Sequence, residues 1–168
     1  MQKNLKMVCA LILVAISTIA IVYAAIQATW PVQNAAYVST TYGVKLVLSN
    51  DTSVEISTID WGTMLPNSRK NSFELYDGVW FKLKNTDNTK IYVSWETSSL
   101  PEGVTVESWL QNTTDNKQRQ WLQTEYLPIE IGSLYPENVD FYLIIAPNTP
   151  SQSFSFTITL NACDSPTG

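Results

Sequence analysis

Residues 153–160 read Ser-Phe-Ser-Phe-Thr-Ile-Thr-Leu, so Phe154, Phe156, Ile158 and Leu160 alternate with Ser153, Ser155, Thr157 and Thr159. A period of two puts the apolar set on one face and the hydroxyls on the other, as a half-buried strand requires. The same period recurs in Val139, Phe141, Leu143 and Ile145, in Ile91, Val93 and Trp95, in Phe81 and Leu83, and in Val44, Leu46 and Leu48. Turn-forming pieces separate these runs: Ser49-Asn50-Asp51, Pro66-Asn67-Ser68, Asn85-Thr86-Asp87-Asn88, Pro101-Glu102-Gly103, residues 112–116 and Pro147-Asn148-Thr149-Pro150. No amphipathic helical period follows residue 30. The pattern predicts an all-β fold, an immunoglobulin-like or jelly-roll antiparallel β-sandwich of about seven to nine short strands.

Residues 53–62 break the rule locally. Val54 and Ile56 share one parity, whereas Ile59 and Trp61 take the other. A strand that changes face midway needs a bulge or a bend that switches sheets. Gly62 then supplies a turn and Pro66 ends the pairing, so Ile59-Asp60-Trp61-Gly62 reads as a strand-end corner. Trp61 is expected in the core, with Asp60 bonding nearby backbone amides; a ligating or catalytic Asp60 is the competing reading.

The first residues follow a different logic. Lys3 and Lys6 precede an uninterrupted apolar run over residues 7–26, and Ala24, Ala25 and Ala28 offer small residues for processing. Such a charged start, apolar middle and small-residue end predict a secretory signal peptide. The run, an apolar helix of about 20 residues, is also long enough to act as a membrane anchor if retained. The chain therefore divides into a signal or anchor (1–25), a tether or donor strand (26–36), a sandwich (37–162) and a tail (163–168). Both forms place the sandwich at the cell surface or outside the cell. Cleavage would remove Cys9 and leave Cys163 without a partner for a disulfide.

Charge and composition narrow the chemistry. The 168 residues carry a formal charge of −5, and without Lys3 and Lys6 the remainder holds 8 basic residues against 15 acidic ones, or −7. Nucleic acid and anionic membrane surfaces are bound through clustered Lys and Arg, so neither is an expected partner; membrane contact is limited to residues 7–26. The chain contains no histidine. That removes Ser-His-Asp and Cys-His catalysis and the common zinc and blue-copper sites. Glu125, Glu130, Glu137 and Asp140 leave one opening, a carboxylate hydrolase, but strand alternation places several of them on a solvent face. The expectation is a non-enzyme with no catalytic residues, cofactor or metal.

Four sets of residues remain as candidate sites. Asn50-Asp51-Thr52 and Asn112-Thr113-Thr114 are N-glycosylation acceptor patterns in loops, which makes Asn50 and Asn112 the modification candidates. Trp109 and Trp121 flank the polar stretch 111–120 and are candidates for stacking on sugar rings, whereas Trp61, Trp80 and Trp95 read as core. The uncharged segment before Lys45 is β-competent. Residues 26–34 read first as a tether and 35–48 as strand. Ile26, Trp30, Val32, Tyr37 and Val38 are the positions through which this segment would add a strand to a neighbouring copy.

Residues 59–62 (Ile-Asp-Trp-Gly), Pro66, residues 84–88 (Lys-Asn-Thr-Asp-Asn) and Trp95 together resemble a class of archaeal secreted surface proteins. The later run through Pro136 to Pro147 resembles the return strand of that class, with Glu137 where its turn usually has glycine. The resemblance covers roughly residues 43–160. It implies an immunoglobulin-fold surface module, similar to subunits of archaeal bundling pili and camelysin-type biofilm fibres, and it brings no enzymatic residues. The expected function is a structural subunit of an extracellular filament, assembling head to tail from copies of itself by strand donation. A carbohydrate-binding or adhesive module with surface polysaccharide as partner is the alternative, and the hydrolase a third reading.

Overall fold

The computed structural model describes residues 33–41, 43–150 and 152–166, and these form one unit. Its strands are β1 (Gln33–Thr40), β2 (Val44–Leu48), β3 (Thr58–Thr63), β4 (Ser68–Asn71), β5 (Phe81–Asn85), β6 (Ile91–Thr97), β7 (Val104–Gln111), β8 (Gln118–Trp121), β9 (Leu127–Ile129), β10 (Asn138–Ile145) and β11 (Phe154–Cys163). A single turn of helix, α1 (Ser72–Leu75), lies between β4 and β5. The expected signal or anchor helix, with Cys9, Ile26, Trp30 and Val32, lies outside the described residues. Among those described, no helix is long and apolar enough to cross a membrane.

Two sheets form the domain. One runs β3-β1-β11-β6-β9 and the other β2-β5-β10-β7-β8, with β4 also pairing to β10. The alternating apolar residues of β5, β6, β7, β10 and β11 point inward and form one core between them. Trp95 of β6 meets Phe141 of β10 edge to face, with ring centroids 5.9 Å apart. This is the two-layer architecture expected of a β-sandwich. The strands outnumber the sequence expectation because β4, β8 and β9, of four, four and three residues, are too short to show a period.

One feature of the pairing departs from the expected antiparallel sandwich. β1 and β11 run parallel, in continuous register from Asn34 opposite Phe154 to Thr40 opposite Leu160. Alternation reports which face a residue occupies and carries no information on the direction of its neighbour. The ends of the domain also shift. β1 begins at Gln33, inside the segment read as tether or donor, and β11 runs on to Cys163.

The parity break at residues 53–62 comes from a change of sheet, and a bulge follows it. Leu48 donates to the Val54 carbonyl and Ile56 to the Leu46 carbonyl, so residues 54–56 line the edge of the six-stranded sheet. Val38 then donates to the Ser57 carbonyl, and the chain has crossed to the five-stranded sheet within one residue. Within β3, Asn34 faces Gly62 and Ala35 faces Asp60, leaving Trp61 as the extra residue of a bulge. Gly62 has φ of 60°, a conformation that favours glycine, and Asp60 Oδ1 accepts its N–H at 2.7 Å. Alternation with Ile59 carries the Trp61 indole fully into the core, stacked on Phe156 at 5.7 Å. The Ile-Asp-Trp-Gly run is thus a bulge inside a strand rather than a corner at its end.

Asn85 explains the polar run that follows β5. Its side chain is fully buried and its Nδ2 donates to the carbonyls of Thr89, Ile129 and Glu130, while Oδ1 accepts from Asp87 N–H. One asparagine thus fastens two loops.

Candidate functional site

The aromatic pair expected to stack on sugars is split by the fold. Trp121 lies opposite Ser108, whose side chain faces the core, so strand parity carries the indole inward. It has no exposed surface; its Nε1 donates to the Glu125 carbonyl, and its own carbonyl accepts from Trp95 Nε1 at 2.9 Å. Trp121 therefore cannot serve as a platform. Trp109, one register step away opposite Gln120, is half-buried and meets Tyr142 edge to face at 6.4 Å. The Arg69 guanidinium lies 3.9 Å from the Tyr142 ring centre and pairs with Glu107, which also accepts from Trp109 Nε1. Trp80 is half-buried and stacks on Phe73 at 4.0 Å.

The four carboxylates are dispersed among structural partners. Glu125 and Glu137 both pair with Arg119, at 2.6 and 3.5 Å, and Glu130 pairs with Lys90 at 2.7 Å. Asp140 is buried beneath α1, where Oδ1 accepts from Ser72 Oγ at 2.6 Å and Phe73 N–H at 3.0 Å. Ser72 Oγ in turn accepts from Phe141 N–H, so this group fixes the helix turn to β10. Desolvation raises the Asp140 pKa above its ordinary value, against smaller opposing contributions from Ser72, Phe73 and Tyr142. A raised folded pKa means that the native state holds this proton more tightly than the unfolded chain does. As pH falls from neutral toward 3.8, the parent protein is therefore expected to gain stability relative to Asp140→Asn. Urea midpoints across that range measure the difference; a parent that loses ground on acidification contradicts the assignment.

Among the described residues, no group of three or more Cys, Asp or Glu side chains is placed to hold a metal. Asn50 is exposed, while Asn112 is half-buried with its side-chain oxygen accepting from Thr114 and Asp115 N–H. Cys163 is half-exposed, its thiol 3.6 Å from the Tyr92 carbonyl.

The remaining candidate is the strand at the start of the domain. β1 is bonded on both sides, to β11 and to β3. Its inward side chains are small: Asn34 and Ala36 are buried and Val38 is partly so, whereas Tyr37 is 58% exposed. Its neighbour β11 contributes Phe156, Ile158 and Leu160 to the core. β1 is thus held mainly through its backbone, which any chain with small alternating residues can supply. Its link to the body is short, flanked by Thr41 and Gly43. There Thr41 N–H and Oγ1 donate to the Leu160 carbonyl, and Thr41 Oγ1 accepts from Ala162 N–H. Gly43 has φ of 83°, and its carbonyl accepts from Thr86 N–H.

Three of the outer sheet edges are covered in part, each in its own way. On β3, Tyr76 Oη donates to the Thr58 carbonyl, and Lys70 Nζ donates to those of Trp61 and Thr63. Burial raises the Tyr76 pKa, with Asp60 adding to the shift, which keeps the phenol a donor. On β9, the bond from Ser98 N–H to the Thr157 carbonyl fixes the ladder parity so that Pro128 faces outward, and proline has no N–H to offer. Residues 54–56 cover β2, where Glu55 bridges to Val47 and pairs with Lys45. Lys70 and Tyr76 carried no mark in the sequence, since their role appears only when the turn of α1 folds them back over β3.

No protein-family model matches the chain, and no curated protein matches it.

Proposed function

We propose that this protein is a non-enzymatic structural subunit of the cell surface or extracellular space, with an immunoglobulin-like sandwich, that assembles by exchanging β1 between copies. The observation that carries the reading is the lodging of β1. It lies at the start of the domain, is bonded on both sides, adds little to the core and is joined to the body by one short turn. If the turn opens, β1 of one copy fills the gap between β3 and β11 of the next. That contact is heterologous and need not close, so repetition gives a head-to-tail filament. Residues 26–32, with Ile26, Trp30 and Val32, would lead into the exchanged strand, so the donor is centred on 33–40 rather than on 26–36. The resemblance of residues 59–62 and 84–88 to filament-forming surface proteins supports the same reading, as does the exclusion of imidazole chemistry.

Gly43 sets the balance between closed and exchanged forms. Its φ of 83° suits glycine, and an added Cβ would lie 3.0 Å from Asp87 Cβ. Gly43→Val strains the closed turn by about 1–3 kcal/mol and leaves an extended hinge unstrained. The variant is expected to shift purified protein from monomer toward oligomer by about tenfold or more, read by light scattering and negative-stain microscopy. Monomer at all concentrations in both parent and variant would overturn the proposal.

A second reading keeps one observation of its own. Trp109, Tyr142, Arg69 and Glu107 form an aromatic and charged patch suited to a sugar ring. If the protein binds polysaccharide there, Trp109→Ala releases it from a polysaccharide column without changing its fold, and unchanged retention removes the reading. Asn50, exposed beside β2, is the better placed of the two glycosylation candidates.

A further inference from the structure

We infer that a cleft on the outer face of the five-stranded sheet binds neutral sugar rings. Along β6, Val93 and Trp95 point into the core, so Ser94 and Glu96 take the outward parity. Ser94 lies opposite Asn161 of β11, and one step past the Val93–Leu127 pair of β6 and β9 brings Tyr126 to its other side. The segment between β8 and β9 turns back on itself, with Glu125 N–H donating to the Leu122 carbonyl, and brings Gln123 and Thr124 to the same hollow. A short serine among longer neighbours keeps the floor low: Ser94 is buried, while Tyr126 at the wall is 38% exposed. The cleft holds about 410 Å³, a volume within the range of small-molecule sites.

The chemistry of the lining selects the ligand. Ser94, Glu96, Gln123, Thr124, Tyr126 and Asn161 all present polar side chains to the cleft. Among the described residues, none of the six spends its side chain on a hydrogen bond or ion pair. The patch around Trp109 differs, because Arg69, Glu107 and the Trp109 indole N–H are already bonded together. Hydroxyls and amides both donate and accept, and a carboxylate accepts, so the lining matches a ligand whose own groups do both, as sugar hydroxyls do. The Tyr126 ring adds an apolar surface for the C–H face of a sugar. Glu96 lines the cleft and no Lys or Arg does, which disfavours phosphorylated or acidic ligands. No lining residue belongs to β1, so the site is the same in closed and exchanged copies. Each cleft alone binds weakly, and copies held together in an array bind a polysaccharide through many such sites.

The test uses the full chain. Cys163 also lines the cleft, with its thiol half-exposed, so its rate of alkylation by iodoacetamide reports whether the cleft is filled. Peptide mass spectrometry separates that signal from Cys9. At least one of cellobiose, maltose and diacetylchitobiose is expected to slow the reaction by about threefold or more near saturation. Galacturonate, which brings a carboxylate toward Glu96, should leave the rate unchanged. Glu96→Ala/Asn161→Ala removes two side chains that the fold does not bond, so the melting temperature should hold while the protection is lost. Ser94→Leu fills the floor and should lose it as well. Trp109→Ala, on the other sheet, should keep the protection in full. Protection by none of the three disaccharides, by galacturonate alone, or persisting in the double variant would overturn the inference, as would its loss in Trp109→Ala.

Discussion

Removing residues 1–40 is expected to abolish cooperative unfolding, and a synthetic peptide of residues 33–40 is expected to restore it. Without β1, the backbone groups of β3 and β11 that faced it lose their partners, and the Trp61–Phe156 stack loses the cover of Ala36. Each ladder bond contributes about 1 kcal/mol net, so loss of a strand bonded on both sides is comparable with the roughly 5–15 kcal/mol that holds a whole domain folded. The peptide succeeds because the slot selects for small residues at positions 34, 36 and 38 and for little else. A peptide with Ala36→Trp should fail. Recovery of a sharp thermal transition only with the parent peptide is the expected result, read by circular dichroism. A truncated chain that melts like the full one would show that β1 is dispensable and could not drive assembly.

Trp121→Ala is expected to cost about 3–5 kcal/mol, the usual loss for a fully buried tryptophan. The indole packs against Trp95 with centroids 6.3 Å apart, and its loss also leaves the Glu125 carbonyl without its donor. Trp109→Ala, on the outward face, should cost much less, about 1 kcal/mol, through its contacts with Tyr142 and Glu107. Chemical denaturation of the two variants separates the roles cleanly. Equal costs would mean that β8 does not turn Trp121 into the core.

The contrast between these two tryptophans shows what the sequence can carry. The runs over residues 139–145 and 153–160 state their inward faces plainly, because long strands repeat the period several times. β8 has four residues, three of them exposed polar ones, so nothing in the local pattern marks Trp121 as buried. Its fate is decided by the hairpin register with β7. The parity change at residues 53–62 was legible as an event, and the change of sheet at Ser57 produces it, yet only the fold shows that Gly62 lies inside a strand. The parallel pairing of β1 with β11 was invisible, since direction is set by which sheet each neighbour joins. Edge closure was equally hidden: Pro128 is suggestive, but Lys70 and Tyr76 reach β3 only through the turn around α1 that Asp140 and Asn71 hold in place. Asn85 stood in a recognisable polar run, though its burial and its three carbonyl partners come from loops brought together by tertiary structure.

Strand exchange makes one demand that no other mode of assembly shares. Tyr37 of one copy must lie beside Thr157 of the next, since those two residues are register partners across β1 and β11. Neighbouring strands bring Cα atoms to a separation that a disulfide can span. The direct measurement is therefore the double variant Tyr37→Cys/Thr157→Cys, with Cys9→Ser and Cys163→Ser, oxidised under assembling conditions and run on a non-reducing denaturing gel. The account predicts a ladder of covalent multimers that collapses to monomer on reduction. Assembled material yielding disulfide-closed monomer alone would contradict it.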